Sequence, residues 1–235
     1  MTTEDLVMKC HLIVSLLLFP AATGSLLASN LPLWERLTPQ QQMVLNSGKQ
    51  VVLEEKIPDN PWPKLTIYQL VKSSSADVAA VFWNSELDTK YLPNCKSARI
   101  LDRPSHDVHK AEFILRMPLF LPEELYVSRI AIKNPSEHVF EISWKVLESR
   151  YSTECKGMIR IEPHGDLAFF SYENFVKPRS NFAGLLRWPA QATIVDSVKA
   201  LVRQVETEKQ KNPQLLASQL QAVEQAVGLP PGSLR

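Results

Sequence analysis

Closely spaced strand-like runs constrain the fold of this chain more than any other feature of its sequence. Six extended runs follow one another, at residues 96–102, 110–117, 125–134, 138–148, 153–162 and 166–177. The segments between them are shorter than the dozen or so residues that a parallel crossover connection needs. The sequence therefore predicts consecutive strands that are antiparallel neighbours in one sheet.

Apolar and polar side chains alternate along most of these runs. Between residues 138 and 148, Phe140, Ile142 and Trp144 share one face, while Glu141 and Lys145 share the other. Successive side chains of a strand point to opposite faces of the sheet. The pattern predicts a sheet with one dry face and one solvated face.

Helical segments flank the strands on both sides. A strand at 65–72, with an extended segment at 50–56 beside it, precedes two short helices at 76–83 and 85–91. After the last strand, a long amphipathic helix repeats apolar residues at helical spacing, namely Ile194, Val195, Val198, Leu201, Val202 and Val205. The order predicts an α+β fold in which a curved seven-stranded antiparallel sheet wraps around the long C-terminal helix.

The N-terminal residues resemble an export signal. Lys9 precedes an apolar run at 11–19, and the small residues of 20–25 suit a signal peptidase. We interpret residues 1–28 as a signal peptide, with Met8 as a possible start, and expect a periplasmic or secreted protein. The alternative is a short buried or membrane-associated helix.

We assign 29–49 to a linker and short helix, 50–211 to the sheet domain, and 212–235 to a C-terminal helix and tail.

Charge and motif content narrow the function classes. A formal net charge of +1 gives no field that would attract nucleic acid. No histidine or cysteine spacing is typical of a metal site, and no phosphate loop or nucleophile motif is present, so we name no metal, cofactor or catalytic residue. Cys95 and Cys155 lie on segments that the topology separates, which favours two free, buried thiols.

Three short sequence segments resemble those of a known superfamily. Residues 76–84 (ADVAAVFWN), 91–101 (YLPNCKSARIL) and 172–178 (YENFVKP) look like the helix, second-strand and closing segments of the START-like (SRPBCC, helix-grip) superfamily. This superfamily includes polyketide cyclases, lipid-transfer domains and coenzyme Q-binding proteins. The resemblance spans roughly residues 50–208. It implies a hydrophobic ligand held between the sheet and the long helix.

Two groups of residues are the candidate site. The first consists of apolar and aromatic residues expected to line the cavity: Phe113, Leu115, Ile130, Phe140, Ile142, Trp144, Ile159, Phe170, Tyr172, Val198, Leu201 and Val202. The second lies before the long helix and would form the cavity mouth or touch a membrane: Phe182, Leu185, Leu186, Arg187 and Trp188. For the first group the alternative is a solid core, and for the second a short helical lid.

From these observations we expect non-covalent binding of a lipid or similar apolar small molecule, for transport or presentation and not for turnover. One alternative is a cyclase-like enzyme that acts on an apolar substrate in the same cavity. A second alternative is a ligand-free envelope interaction module whose C-terminal helix binds a partner.

Overall fold

The computed structural model describes residues 31–117, 121–180, 183–184 and 187–234. The predicted signal peptide lies outside the described residues, as do Phe182, Leu185 and Leu186 of the predicted mouth. Residues from Pro32 onward form one compact unit. Its elements are α1 (Pro39–Asn46), β1 (Val51–Glu55), β2 (Lys64–Val71), α2 (Ser75–Trp83), β3 (Cys95–Ser105), β4 (Val108–Leu115), β5 (Glu124–Ser136), β6 (Val139–Ser149), β7 (Ser152–His164), β8 (Leu167–Pro178), α3 (Arg187–Lys211) and α4 (Pro213–Val227). Two 3₁₀ helices, Leu33–Arg36 and Ser85–Lys90, complete this part of the chain.

One antiparallel sheet contains all the described strands, in the order β1-β2-β8-β7-β6-β5-β4-β3. It has eight strands, whereas the sequence predicted seven. The additional strand is β1. The sequence predicted it as an extended segment at 50–56 beside the strand at 65–72, outside the count of seven, and it pairs with β2 through partners such as Val51 with Tyr68 and Glu55 with Lys64. Only Val51 of β1 is buried, so this edge strand lacks the alternation that identifies a half-buried strand.

Helix α2 fills part of the concave face of the sheet. Ser74 caps its first turn in a capping box with Asp77, which satisfies backbone N–H groups at the helix start. The helix packs against β6, β7 and β8 on one side and against α3 and α4 on the other. Because neighbours surround it, Val78 and Val81 are both completely buried. A helix that is apolar all round is typical of such a central position.

Helices α3 and α4 close the apolar core. Val198, Leu201 and Val205 of α3 are buried, and each contributes about 1.5–3 kcal/mol of burial free energy. Helix α4 begins with Pro213 in its first turn and ends at Gly228, whose φ of 71° lies in the left-handed region. Its apolar face packs into the same core as α2 and α3. No helix within the described segments has both the length and the apolarity to cross a membrane.

The N-terminal segment covers part of the convex face. Trp34 packs against His164, with ring centroids 4.1 Å apart, and edge-on against Phe169. The backbone N–H of Leu33 donates a hydrogen bond of 2.7 Å to Glu162 Oε2. This cover explains why β8 is apolar on both faces, because Phe169 joins the convex cluster while Phe170 joins the concave core.

Candidate functional site

A cavity of about 370 Å³ lies between the concave face of the sheet and α3. Strands β4 to β8 supply one wall, and the N-terminal half of α3 supplies the other, through residues from Pro189 to Leu201. The 3₁₀ helix Ser85–Lys90 and the residues that follow it form a further wall. The space is therefore bounded by both the sheet and the long helix.

The structure brings part of the predicted cavity residues together at this space. Those that line it are Phe113, Leu115, Ile130, Trp144, Tyr172, Val198 and Leu201. They come from β4, β5, β6, β8 and α3, so residues far apart in the sequence converge on one volume. Whether they bind a ligand stays a prediction.

The other predicted residues lie away from the cavity wall. Phe140, Ile142, Ile159 and Phe170 are completely buried and belong to the solid core, and Val202 is half-buried beside that core. The physical reason for the first four is α2, which packs on β6, β7 and β8 and fills that end of the concave face. The hollow is thus confined to the end that α2 leaves open.

Aromatic side chains form one wall of the cavity. The ring centroids of Trp144 and Tyr172 are 5.0 Å apart, and those of Phe82 and Trp144 are 5.8 Å apart. On the neighbouring strands, Phe113 and Tyr126 stack with centroids 4.9 Å apart. Such packed rings restrict each other's orientations.

A buried acid in this cavity was not identified from the sequence. Asp88 is 8% exposed, and Tyr91 Oη donates a hydrogen bond of 2.7 Å to its Oδ1. Burial raises the pKa of Asp88 to about 8, so its carboxyl group is protonated at neutral pH. The available signal was the spacing of Asp88 and Tyr91, which places both on one side of a 3₁₀ turn.

Cys95 and Cys155 are free thiols, as the predicted topology indicated, but both are half-buried and not buried as expected. Burial raises the pKa of Cys95 to about 11 and that of Cys155 to about 12. A protonated thiol is a poor nucleophile and a poor metal ligand. Within the described segments, no group of three or more His, Cys, Asp or Glu side chains could hold a metal ion.

The described part of the predicted mouth is the start of α3. Trp188 is 73% exposed, and the next two residues, Pro189 and Ala190, line the cavity. Arg187 forms an ion pair with Glu54 of β1, and its guanidinium group lies 5.7 Å from the centroid of the Trp188 ring. An exposed indole and a guanidinium group therefore lie at the rim of the cavity.

Comparisons with known proteins identify the fold. No protein-family model matches the sequence, and no curated protein matches it. Among solved structures, a STAR-related lipid transfer protein from Xanthomonas axonopodis superposes with a TM-score of 0.61 at 14% identity, covering 67% of this chain and 93% of that one. The human StarD13 lipid transfer and protein localization domain gives 0.55 at 10% identity, over 72% and 97% of the two chains.

A third similar structure is the di-domain ARO/CYC StfQ from the steffimycin biosynthetic pathway. Its TM-score is 0.51 at 9% identity, and the match covers 63% of this chain and 52% of that one. At these identities the likeness concerns the fold alone. The chain has the START-like, helix-grip fold, which confirms the predicted α+β class.

Proposed function

We propose that this chain binds a lipid or another hydrophobic small molecule non-covalently in the cavity, for transport or presentation. The observation that carries the proposal is a hollow of about 370 Å³ bounded by the sheet and α3. Its volume lies within the range of about 300–1,000 Å³ that ligand sites occupy. Removing apolar ligand surface from water supplies the binding free energy.

The similar structures support a ligand of this kind. Two of them are a lipid transfer protein and a lipid transfer domain, and this chain shares their fold. The interaction-module alternative gains no support from α4, because Leu216, Leu220 and Val223 already pack into the protein's own core. Export stays a prediction that rests on residues 1–28.

We extend the proposal to a transient membrane contact at the rim of the cavity. A hydrophobic ligand must pass between a membrane and the cavity with little exposure to water. Trp188 is exposed immediately before two cavity-lining residues, and tryptophan favours the membrane interface. The neighbouring Arg187 pairs with Glu54, so a lipid phosphate that bound its guanidinium group would have to compete with that carboxylate.

A cyclase-like enzyme is the second candidate function. The observation that favours it is Asp88, because an acid with a pKa near 8 inside a cavity is suited to general acid–base catalysis. Mass spectrometry of the molecules extracted from wild type and from Asp88→Asn distinguishes the two functions. If the protein is an enzyme, the two proteins should co-purify with chemically different molecules. If it is a carrier, both should hold the same molecule.

Native mass spectrometry of the purified protein, together with uptake of the apolar fluorophore diphenylhexatriene, tests the carrier proposal. Ser197 lines the cavity on α3, so Ser197→Trp fills it and should abolish fluorophore uptake. Lys199 lies on the exposed face of the same helix, and Lys199→Trp is the matched control. A wild-type protein that carries no lipid and takes up no fluorophore would contradict the proposal.

A further inference from the structure

Several polar side chains line the largely apolar cavity, including Ser128, Asn174 and Ser197, and Asp88, Tyr126 and Tyr172 are among them. Burial is the main cause that raises the pKa of Tyr126 and Tyr172, and the nearby Asp88 makes a smaller contribution to both. Across the described residues, neither Tyr126 nor Tyr172 hydrogen-bonds through its hydroxyl group. Polar groups removed from bulk water are costly when they lack a partner, so a ligand that supplies one gains affinity.

The protonation of these groups makes them hydrogen-bond donors. Burial is the largest cause that raises the pKa of Asp88 to about 8, and it raises the pKa of both tyrosines above their ordinary range. Tyr91 already donates to Oδ1 of Asp88, which leaves the acidic proton on Oδ2. At neutral pH the three side chains therefore each have an O–H group that can donate a hydrogen bond to an acceptor on the ligand.

Packing fixes where these donors point. The ring of Tyr126 stacks on Phe113 with centroids 4.9 Å apart, and the ring of Tyr172 packs on Trp144 at 5.0 Å. Side chains held in this way lose little further freedom when a ligand binds. The donors are thus set in place before the ligand arrives.

Charged groups that could neutralise an ionic ligand are scarce along the described cavity wall. Glu124 is occupied, because its carboxylate accepts hydrogen bonds from the Ser149 hydroxyl group and from the backbone N–H groups of Arg150 and Tyr151. Arg116 also lines the cavity, but it is exposed. Burying an unpaired phosphate or carboxylate beside Asp88 would be costly.

From this arrangement we infer that the ligand is an uncharged apolar molecule with a carbonyl-type acceptor, which Asp88, Tyr126 and Tyr172 bind inside the cavity. This inference rests on the proposed carrier function and specifies the chemistry of its ligand. It excludes an orientation in which an ionised lipid head group occupies the inner end of the cavity.

Displacement of diphenylhexatriene by two probes of equal chain length, 2-dodecanone and dodecane, tests the inference. Tyr126→Phe and Tyr172→Phe each remove one hydroxyl group and keep the ring. Each should raise the concentration of 2-dodecanone needed for half-displacement by about 3- to 10-fold, the effect of one lost hydrogen bond, and leave dodecane unchanged. Tyr68→Phe is the matched control, because Tyr68 stacks on Phe169 on the convex face.

A charged probe tests the second half of the inference. Dodecanoate at pH 7.5 should be unaffected by the two cavity variants, because its carboxylate stays at the rim. Equal displacement of the fluorophore from wild type and variants by 2-dodecanone overturns the acceptor assignment. A larger effect of the variants on dodecanoate than on 2-dodecanone overturns the uncharged assignment. In both cases wild-type uptake of diphenylhexatriene leaves the carrier function standing, whereas its absence contradicts that function itself.

Discussion

Gly157 of β7 is paired with Trp144 of β6, and the indole ring occupies the space that a side chain at position 157 would need. A Cβ atom there would overlap Trp144 Cζ2 and Cε2, and also the carbonyl oxygen of Glu173 on β8. Glycine at this position therefore allows the indole to lie flat across β7. In that position Trp144 packs on Tyr172 and forms part of the cavity wall.

Gly157→Ala should consequently destabilise the protein and distort the cavity. The methyl group forces either the indole ring or the β8 backbone to move, and overpacking of this kind costs about 1–3 kcal/mol. Urea denaturation measures the loss in the free energy of unfolding. Gly184→Ala is the control, because a Cβ at Gly184 meets nothing within 4 Å. Equal stability of the two variants would contradict the role assigned to Gly157.

The sheet was predictable from the sequence, whereas the position of the cavity was not. The alternation of apolar and polar residues and the short turns between strands predict that consecutive strands are antiparallel neighbours, without any knowledge of tertiary contacts. Phe140 and Trp144 lie on the same face of β6, yet one is in the solid core and the other lines the hollow. The difference depends on how far α2 extends over the sheet, which no local pattern records.

The burial of Asp88 could not be predicted for a related reason, because its spacing from Tyr91 indicates a contact between the two side chains but not that they are buried. Asp88 lies in a short polar stretch, Ser85–Lys90, which resembles a solvated turn. Its burial arises from tertiary packing, because residues distant in sequence, including Tyr172, line the same cavity. Burial can be predicted from sequence where apolar residues recur at the spacing of a helix or a strand. A single buried polar residue in a turn belongs to no such repeat, so the sequence gives no sign of its burial.

His109 should make the protein less stable at acidic pH. It is completely buried, and burial is the main cause that lowers its pKa from 6.5 to about 4, with a smaller effect from Arg103. Between about pH 6.5 and 4 the unfolded chain binds a proton that the folded protein does not, so stability falls as the pH falls through this window. The contribution of His109 is on the order of 2–3 kcal/mol.

Urea denaturation from pH 4 to 7.5 measures this effect, and His109→Gln should flatten the pH dependence. Gln can retain the hydrogen bond that His109 Nε2 makes with Ser85 Oγ at 2.9 Å. His106 is exposed, so His106→Gln provides a matched control. The same slope in wild type and His109→Gln would show that another group is responsible.

Asp88 should have the opposite pH dependence. Burial raises its pKa from 3.8 to about 8 in the folded protein, and Tyr91 only partly offsets this rise. The folded state therefore binds a proton more tightly than the unfolded state. The resulting stabilisation is complete below about pH 3.8 and is lost as the pH rises through about 8.

The difference in unfolding free energy between wild type and Asp88→Asn, measured as a function of pH, isolates the contribution of the Asp88 carboxyl group. Relative to the variant, wild type should lose several kcal/mol between pH 4 and pH 8. Asp166 is an exposed acid, and Asp166→Asn should follow the wild-type curve. A constant difference between wild type and Asp88→Asn across this range would mean that the carboxyl group titrates normally.

Trp188 should govern attachment to lipid bilayers if the start of α3 is where the ligand enters. Transferring most of an exposed indole into the membrane interface is worth about 1.5 kcal/mol, so Trp188→Ala should lower the partition coefficient about tenfold. Sedimentation with sucrose-loaded phosphatidylcholine vesicles measures the bound fraction. Met43 of α1 is 66% exposed, compared with 73% for Trp188, so Met43→Ala removes a similarly exposed apolar side chain at a site that does not line the cavity. If both variants bind vesicles as the wild type does, Trp188 does not anchor the protein to the bilayer, and the proposed membrane contact at the start of α3 is wrong.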